Sequence, residues 1–195
     1  MPRFRRPILP PRRRFPPLHR RPIRRRAAKN VVEKLQAAHS LLAQGKSKEA
    51  AAIFSELADA AAKRGIPRAA QLNLQAGRAL IEAKEVKSGM DRIRQGLTLM
   101  AETNQITRLP NLARRILTEL RDKGLPAEAA AIESEIQSLL SKHGLTLAAA
   151  VDSADKRSLP AKCPYCGGNV HPDEVEWFQQ QHAMCAYCGS RLTDH

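Results

Sequence analysis

The chain has 195 residues, with 33 Lys and Arg against 19 Asp and Glu, and a formal charge of +14. A hydrophobic content of 43% excludes a wholly disordered chain, and no run of about 18 apolar residues is present to span a membrane. The charge is unevenly spread: residues 1–26 hold 11 Arg and no acid, residues 27–160 sum to +5, and residues 161–195 to −2. The basic start lacks the continuous apolar stretch of a secretory signal. Its seven prolines oppose the amphipathic helix of an organelle transit peptide. Cysteines in two close pairs suit metal rather than a disulfide framework, so a cytoplasmic setting is expected.

Residues 1–26, MPRFRRPILPPRRRFPPLHRRPIRRR, are low-complexity Pro and Arg. Proline favours extended polyproline II and like charges repel, so the segment is expected to be a disordered tail. Arg3, Arg5, Arg6, Arg12, Arg13, Arg14, Arg20, Arg21, Arg24, Arg25 and Arg26 form a polyvalent cation. Such a cation binds RNA or DNA phosphates by counterion release, with a steep salt dependence. Phe4 and Phe15 are placed to add base stacking. The same chemistry suits an acidic protein or an anionic membrane surface, with Ile8, Leu9 and Phe15 at the interface. A solvated tail without a dedicated partner is the plain alternative.

From Ala27 to Lys142 the pattern is helical. Val32, Leu35, Ala38, Leu41 and Leu42 recur at three- and four-residue spacing, as do Ile53, Leu57 and Ala61. Gly45, Gly65-Ile66-Pro67, Pro110, Gly124 with Pro126, and Gly144 punctuate the run. Six helices are predicted, near 28–43, 47–64, 67–83, 86–102, 107–122 and 126–142, joined by short turns into antiparallel hairpins. Pro67 and Pro126 suit first turns, where the missing N–H has no partner to lose.

The hairpins repeat. Residues 45–57, GKSKEAAAIFSEL, match residues 124–136, GLPAEAAAIESEI, at eight of thirteen positions and an offset of 79. Half that offset falls on residues 84–96, KEVKSGMDRIRQG, where Gly89 stands for Ala50 and Ile93 for Phe54. A period of 39 to 40 residues is the mark of stacked helical hairpins, each burying its apolar face on its neighbours.

On these residues, with Ala76-Gly77 and Leu80 on one helix and Gly89, Ile93 and Gly96 on the next, region 27–142 resembles the tetratricopeptide repeat family. Its period exceeds that family's usual length of about 34, and Phe54 is its only aromatic. The resemblance implies an α-solenoid of three hairpins. It also implies a groove for a protein partner, lined from the first helix of each hairpin by residues such as Asn73, Gln75 and Arg78. The rival is an Ala- and Leu-rich six-helix bundle; both are mainly α. Residues 143–160 lose the pattern and read as a linker, with room at its start for a short helix capping the last hairpin.

Cys163-Pro164-Tyr165-Cys166 and Cys185-Ala186-Tyr187-Cys188 form two C-x-x-C pairs separated by eighteen residues. Two thiolates three apart grip one edge of a tetrahedron, so two pairs complete a four-ligand shell for one divalent ion. Gly167 and Gly189 follow the pairs and can take a positive φ, aiming backbone N–H groups at the sulfurs. Val175 and Trp177 alternate with Glu174 and Glu176, as in a short strand over the site.

Residues 161–195 resemble the zinc ribbon family, with all four ligand positions present; the resemblance implies one structural Zn2+. A module this short cannot bury a sufficient core alone, so metal binding of roughly 10–16 kcal/mol would supply its folding energy. Iron in a rubredoxin-like site uses the same knuckles at a longer separation. A redox dithiol needs a βαβ setting that the sequence lacks. His171, His182 and His195 stand near the site, but four Cys already fill the shell.

No nucleophile–base pair, phosphate-cradling glycine loop or open metal position is visible, so an enzyme is not expected; His39 and His143 are isolated. Arg108, Arg114, Arg115, Arg121 and Lys123 cluster around the fifth helix. With Glu119 and Asp122 among them, they read first as a solvated face and second as an aid to phosphate binding. The function expected is a non-catalytic adaptor binding a protein through helical repeats, with a structural zinc ribbon and a cationic tail. The alternative is a nucleic-acid-associated protein acting through the tail.

Overall fold

The computed structural model describes residues 21–103, 105–147, 159–172, 174–178 and 182–192. Six helices come first: α1 (Arg21–Ala43), α2 (Ser47–Ala62), α3 (Ala69–Glu82), α4 (Val86–Glu102), α5 (Leu109–Asp122) and α6 (Pro126–Ser141). A 3-10 turn, Ile106–Arg108, leads into α5. Three short strands follow: β1 (Glu176–Phe178), β2 (His182–Met184) and β3 (Arg191–Leu192). They form an antiparallel sheet in the order β1-β2-β3, with Trp177 opposite Ala183 and Ala183 opposite Leu192.

The helix bounds follow the punctuation in the sequence, with two differences: α3 starts at Ala69, so Pro67 precedes it instead of lying in its first turn, and α1 reaches further back than expected. Residues 21–26 of α1 belong to the segment expected to be an extended tail, yet they are helical. Pro22 lies within it, its ring holding φ near the helical value. Residues 1–20, and with them Arg3 to Arg20, lie outside the described residues.

Three of the helix–helix turns share one backbone geometry. Gly45 (φ 75°), Lys84 (φ 66°) and Gly124 (φ 74°) occupy the same left-handed position after α1, α3 and α5. Each next residue returns a hydrogen bond to the carbonyl five residues back: Lys46 to Leu41, Glu85 to Leu80 and Leu125 to Leu120, at 2.9–3.0 Å. This is the Schellman cap, which satisfies carbonyls that the helix leaves open. The second helix of each hairpin then starts alike, with Ala50, Gly89 and Ala129 donating to residues 46, 85 and 125. All three are buried, as are Leu57, Gly96 and Ile136 seven residues later.

α3 lies at the centre, buried on two sides, as a helix packed between neighbours must be. Ala69, Leu72, Ala76 and Ala79 join a core with Leu35, Phe54, Leu57 and Ala58 of α1 and α2. Ala70, Leu74 and Ile81 join a second core with Ile93, Leu97, Leu112, Ile116 and Ile132 of α4 to α6. The small residues expected to allow close helix approach do so between α3 and α4. A Cβ on Gly77 would lie 2.7 Å from the Gly89 carbonyl oxygen, and one on Gly96 would lie 2.9 Å from that of Ala70. After α6, Leu145 and Leu147 pack against the second core; residues 148–158 are not described.

The first core does not stop at the helices. Cys163, Cys166, Val175, Ala183, Cys185, Tyr187 and Leu192 belong to the same apolar cluster as Leu35 and Phe54. The C-terminal segment is thus packed on the α1–α3 side of the helical array. Among the described residues, no helix is long and apolar enough to cross a membrane.

Candidate metal centre

Two near-identical knuckles carry the cysteines. In the first, Gly167 N–H donates to the Cys163 carbonyl (2.9 Å) and Cys163 N–H to that of Gly168 (2.8 Å). In the second, Gly189 N–H donates to the Cys185 carbonyl (2.9 Å) and Cys185 N–H to that of Ser190 (2.9 Å). Gly167 (φ 74°) and Gly189 (φ 71°) take the left-handed conformation expected of them. Their own N–H groups, however, close the turns on carbonyls rather than pointing at sulfur. The bridge between Lys162 and Asn169 closes the first knuckle, and the second forms the turn from β2 to β3.

The four sulfurs converge. Their ligand atoms all lie within 4.8 Å of one another, and the pairs Cys163–Cys188 and Cys166–Cys185 are each 3.7 Å apart. A tetrahedral ion bound at about 2.3 Å requires sulfurs about 3.8 Å apart, so the donor set fits one such ion. Cys163, Cys166 and Cys185 are buried, and Cys188 also reaches Ser190 Oγ at 3.3 Å.

The crowding polarises the thiols. Contacts from Cys166 and Cys185 pull Cys163 down to about 6. Cys188 is also lowered, chiefly by Cys163 and the other two cysteines. Cys166 and Cys185 go up, because their contacts with Cys163 and their burial favour the protonated form. A divalent cation bound there would take the place of those protons, and a shell of four thiolates would leave no position for water. His171 is not part of the cluster; the side chains of His182 and His195 are not described.

The helices hold the centre from outside. The Gln36 side-chain amide on α1 donates to the Tyr165 carbonyl in the first knuckle. His39, one turn further, stacks edge-on against Phe54 (5.2 Å) and Tyr187 (5.3 Å), tying α1, α2 and the second knuckle together. Burial lowers its pKa to about 4, so it is neutral there. Gly168 is required beside it: a Cβ would sit 2.7 Å from His39 Nε2 and from the Tyr187 ring. The Arg68 guanidinium occupies the space that a side chain at Gly189 would need.

A second anchor is electrostatic. Glu174 is 2% exposed. Its Oε1 accepts from Arg115 of α5 (2.7 Å) and Arg78 of α3 (3.3 Å), and its Oε2 accepts from the Tyr187 hydroxyl (3.0 Å). Arg108, in the 3-10 turn, donates to the Glu174 carbonyl. Arg78 also pairs with Glu119 through Nε (2.7 Å). Burial works against its charge, but the Glu174 and Glu119 carboxylates outweigh that and raise its pKa. Burial, and then Glu174, raise the pKa of the Tyr187 phenol.

This cage corrects two sequence expectations. The alternation from Glu174 to Trp177 reads as one short strand over the site. The strand instead begins at Glu176, and Glu174 and Val175 both sit inside. The basic cluster of the fifth helix is not a uniformly solvated face. Arg108 and Arg115 turn inward to Glu174, while Arg121 pairs with Glu133 (2.8 Å) and Lys123 with Glu82 (3.2 Å). Of the residues expected to line a groove, Arg78 faces the C-terminal segment, and Gln75 accepts from Arg78 (3.4 Å). Asn73 is buried, bonded to the Ala69 carbonyl and to Arg92. Trp177 is partly buried against the first core, and His143 is exposed.

No protein-family model matches the chain, and no curated protein or solved structure matches it either. The fold and site define a mainly helical protein of six packed helices. Its C-terminal four-cysteine cluster is able to hold one metal ion.

Proposed function

We propose that the chain is a non-catalytic adaptor. Its hairpins are read as tetratricopeptide-like repeats presenting a binding surface, and its C-terminal segment as a zinc ribbon whose single Zn2+ is structural. The observation that carries this reading is the closed, largely buried set of four sulfurs seated in the same core as α1 to α3. Four thiolates with no open position favour a metal that fastens structure over one that does chemistry. Zinc is preferred because it is redox-inert and commonly held by four cysteines in closed tetrahedral sites.

The tail supports a second reading. Residues 1–26 carry +11, whereas the remaining 169 residues carry only +3. A cation so concentrated suits RNA or DNA phosphates, and the two roles are compatible in one cytoplasmic protein.

Affinity capture from the native host, using the full chain and a chain lacking residues 1–20 with and without nuclease, tests both. The adaptor reading expects a defined protein retained by both forms after nuclease. Nucleic acid captured by the full chain alone supports the tail reading. A protein-free eluate from both forms would overturn the adaptor reading.

A further inference from the structure

The metal centre has one less covered edge, and a helical side chain lies against it. Cys163, Cys166 and Cys185 are buried, whereas Cys188 is only partly so. Cys188 and Ser190 line an apolar cleft whose other walls come from the helices, through Val31, Leu57 and Leu72. Arg68, the residue immediately before α3, lines the same cleft. Its guanidinium packs on Gly189, the residue that directly follows the ligand Cys188.

Arg68 lacks the partner that a cation so placed requires. Among the described residues no carboxylate forms an ion pair with it, and its Nε is buried without a hydrogen-bond acceptor. Arg78, Arg92 and Arg94, by contrast, each hold a carboxylate. The cleft is lined by Lys29 and Arg64 as well, and by no Asp or Glu. A cation taken partly out of water is costly unless an anion answers it. The anion at hand is the metal centre itself, because four thiolates around one divalent ion leave two negative charges uncompensated. Lys162, beside Cys163, is exposed, so water weakens its share.

We infer that Arg68 is the counter-cation of the metal centre: carried by the helical array, it offsets the charge of the thiolate shell, so that the helices tighten the ribbon's hold on its ion. The inference rests on reading the four cysteines as a closed site for one divalent ion. It adds an electrostatic partner that lies far from the ligands in the chain and does not touch the ion.

The test compares the full chain with Arg68→Gln and Arg68→Lys, loaded with zinc and, separately, with iron. Zinc affinity is measured by competition with a chromophoric chelator. Arg68→Gln should hold zinc about tenfold more weakly than the wild type, and Arg68→Lys, which keeps the charge, should recover most of the loss. Lost packing would also weaken the site, so the reduction potential of the iron-loaded chain separates the two causes. Its oxidised centre carries one negative charge and its reduced centre two, so a neighbouring cation favours reduction. Removing that cation lowers the potential, whereas loosening the packing and admitting water raises it. A lower potential in Arg68→Gln, restored by Arg68→Lys, is expected. An unchanged or raised potential would overturn the inference, as would a zinc affinity that Arg68→Gln leaves intact. If Arg68→Gln loses its helical circular dichroism, Arg68→Met, which keeps the apolar stem, takes its place. A wild-type chain that binds neither metal would overturn the metal reading and this inference with it; metal binding that ignores Arg68 ends this inference alone.

Discussion

Glu174 shows how much one buried charge can determine. It is nearly inaccessible, accepts from two arginines and a tyrosine, and joins the C-terminal segment to α3 and α5. Removing one partner from such a set strands the others, so Glu174→Ala should destabilise the chain by about 3 kcal/mol. The measurement is the urea midpoint, and an unchanged midpoint would contradict the assignment. Lys84 is the opposite case. It holds φ 66° where the equivalent turns have Gly45 and Gly124. Side chains disfavour that conformation, so Lys84→Gly should stabilise by about 1 kcal/mol, seen as a higher melting temperature. Neither feature has the same legibility in sequence. Lys84 aligns with Gly45 and Gly124 in the 39- to 40-residue period of the sequence, whereas nothing in the alternation around Glu174 marks it as buried. Its partners lie 59, 66 and 96 residues away in the chain, and only the assembled fold brings them together.

At the level of elements, the decisive contact is α3 against α4. Gly77 and Gly89 face each other so closely that a methyl group on either would press on the other's backbone oxygen, which cannot swing aside. Gly77→Ala should therefore cost roughly 1–3 kcal/mol by overpacking. Measured by thermal melting, a neutral result would mean that the two helices are free to separate. The helices themselves were readable because glycine and proline act locally, and most of their bounds needed no tertiary information beyond an apolar period. α1 is the exception, since residues 21–26 are helical although Pro22 and the arginines beside it read as part of a polyproline segment. The four cysteines were legible for a similar reason, because ligand spacing is a local property. The docking of the knuckles on Gln36, His39 and Arg68 was not; isolated polar residues on α1 and before α3 carry no local sign of a partner so distant in the chain.

For the whole molecule, the metal centre and the helical array form one structure rather than two linked ones. Three of the four cysteines, Val175, Tyr187 and Leu192 lie in the core of α1 to α3, and the Glu174 cage adds a polar attachment on α3 and α5. The small C-terminal segment need not find its whole stability within itself, and chelation should reach beyond the knuckles. Adding a chelator to the zinc-loaded chain should release one ion per chain, measured by metal analysis, and shift Trp177 emission to the red as that partly buried ring loses its packing. Release of no ion would remove the metal from the account. Trp177 is also the chain's one tryptophan, so it reports on the ribbon, while far-ultraviolet circular dichroism reports on the helices. The most direct test follows both signals during thermal unfolding of the zinc-loaded chain. If ribbon and helices are one cooperative body, the two transitions share a midpoint; a Trp177 transition clearly separated from the helical one would contradict it.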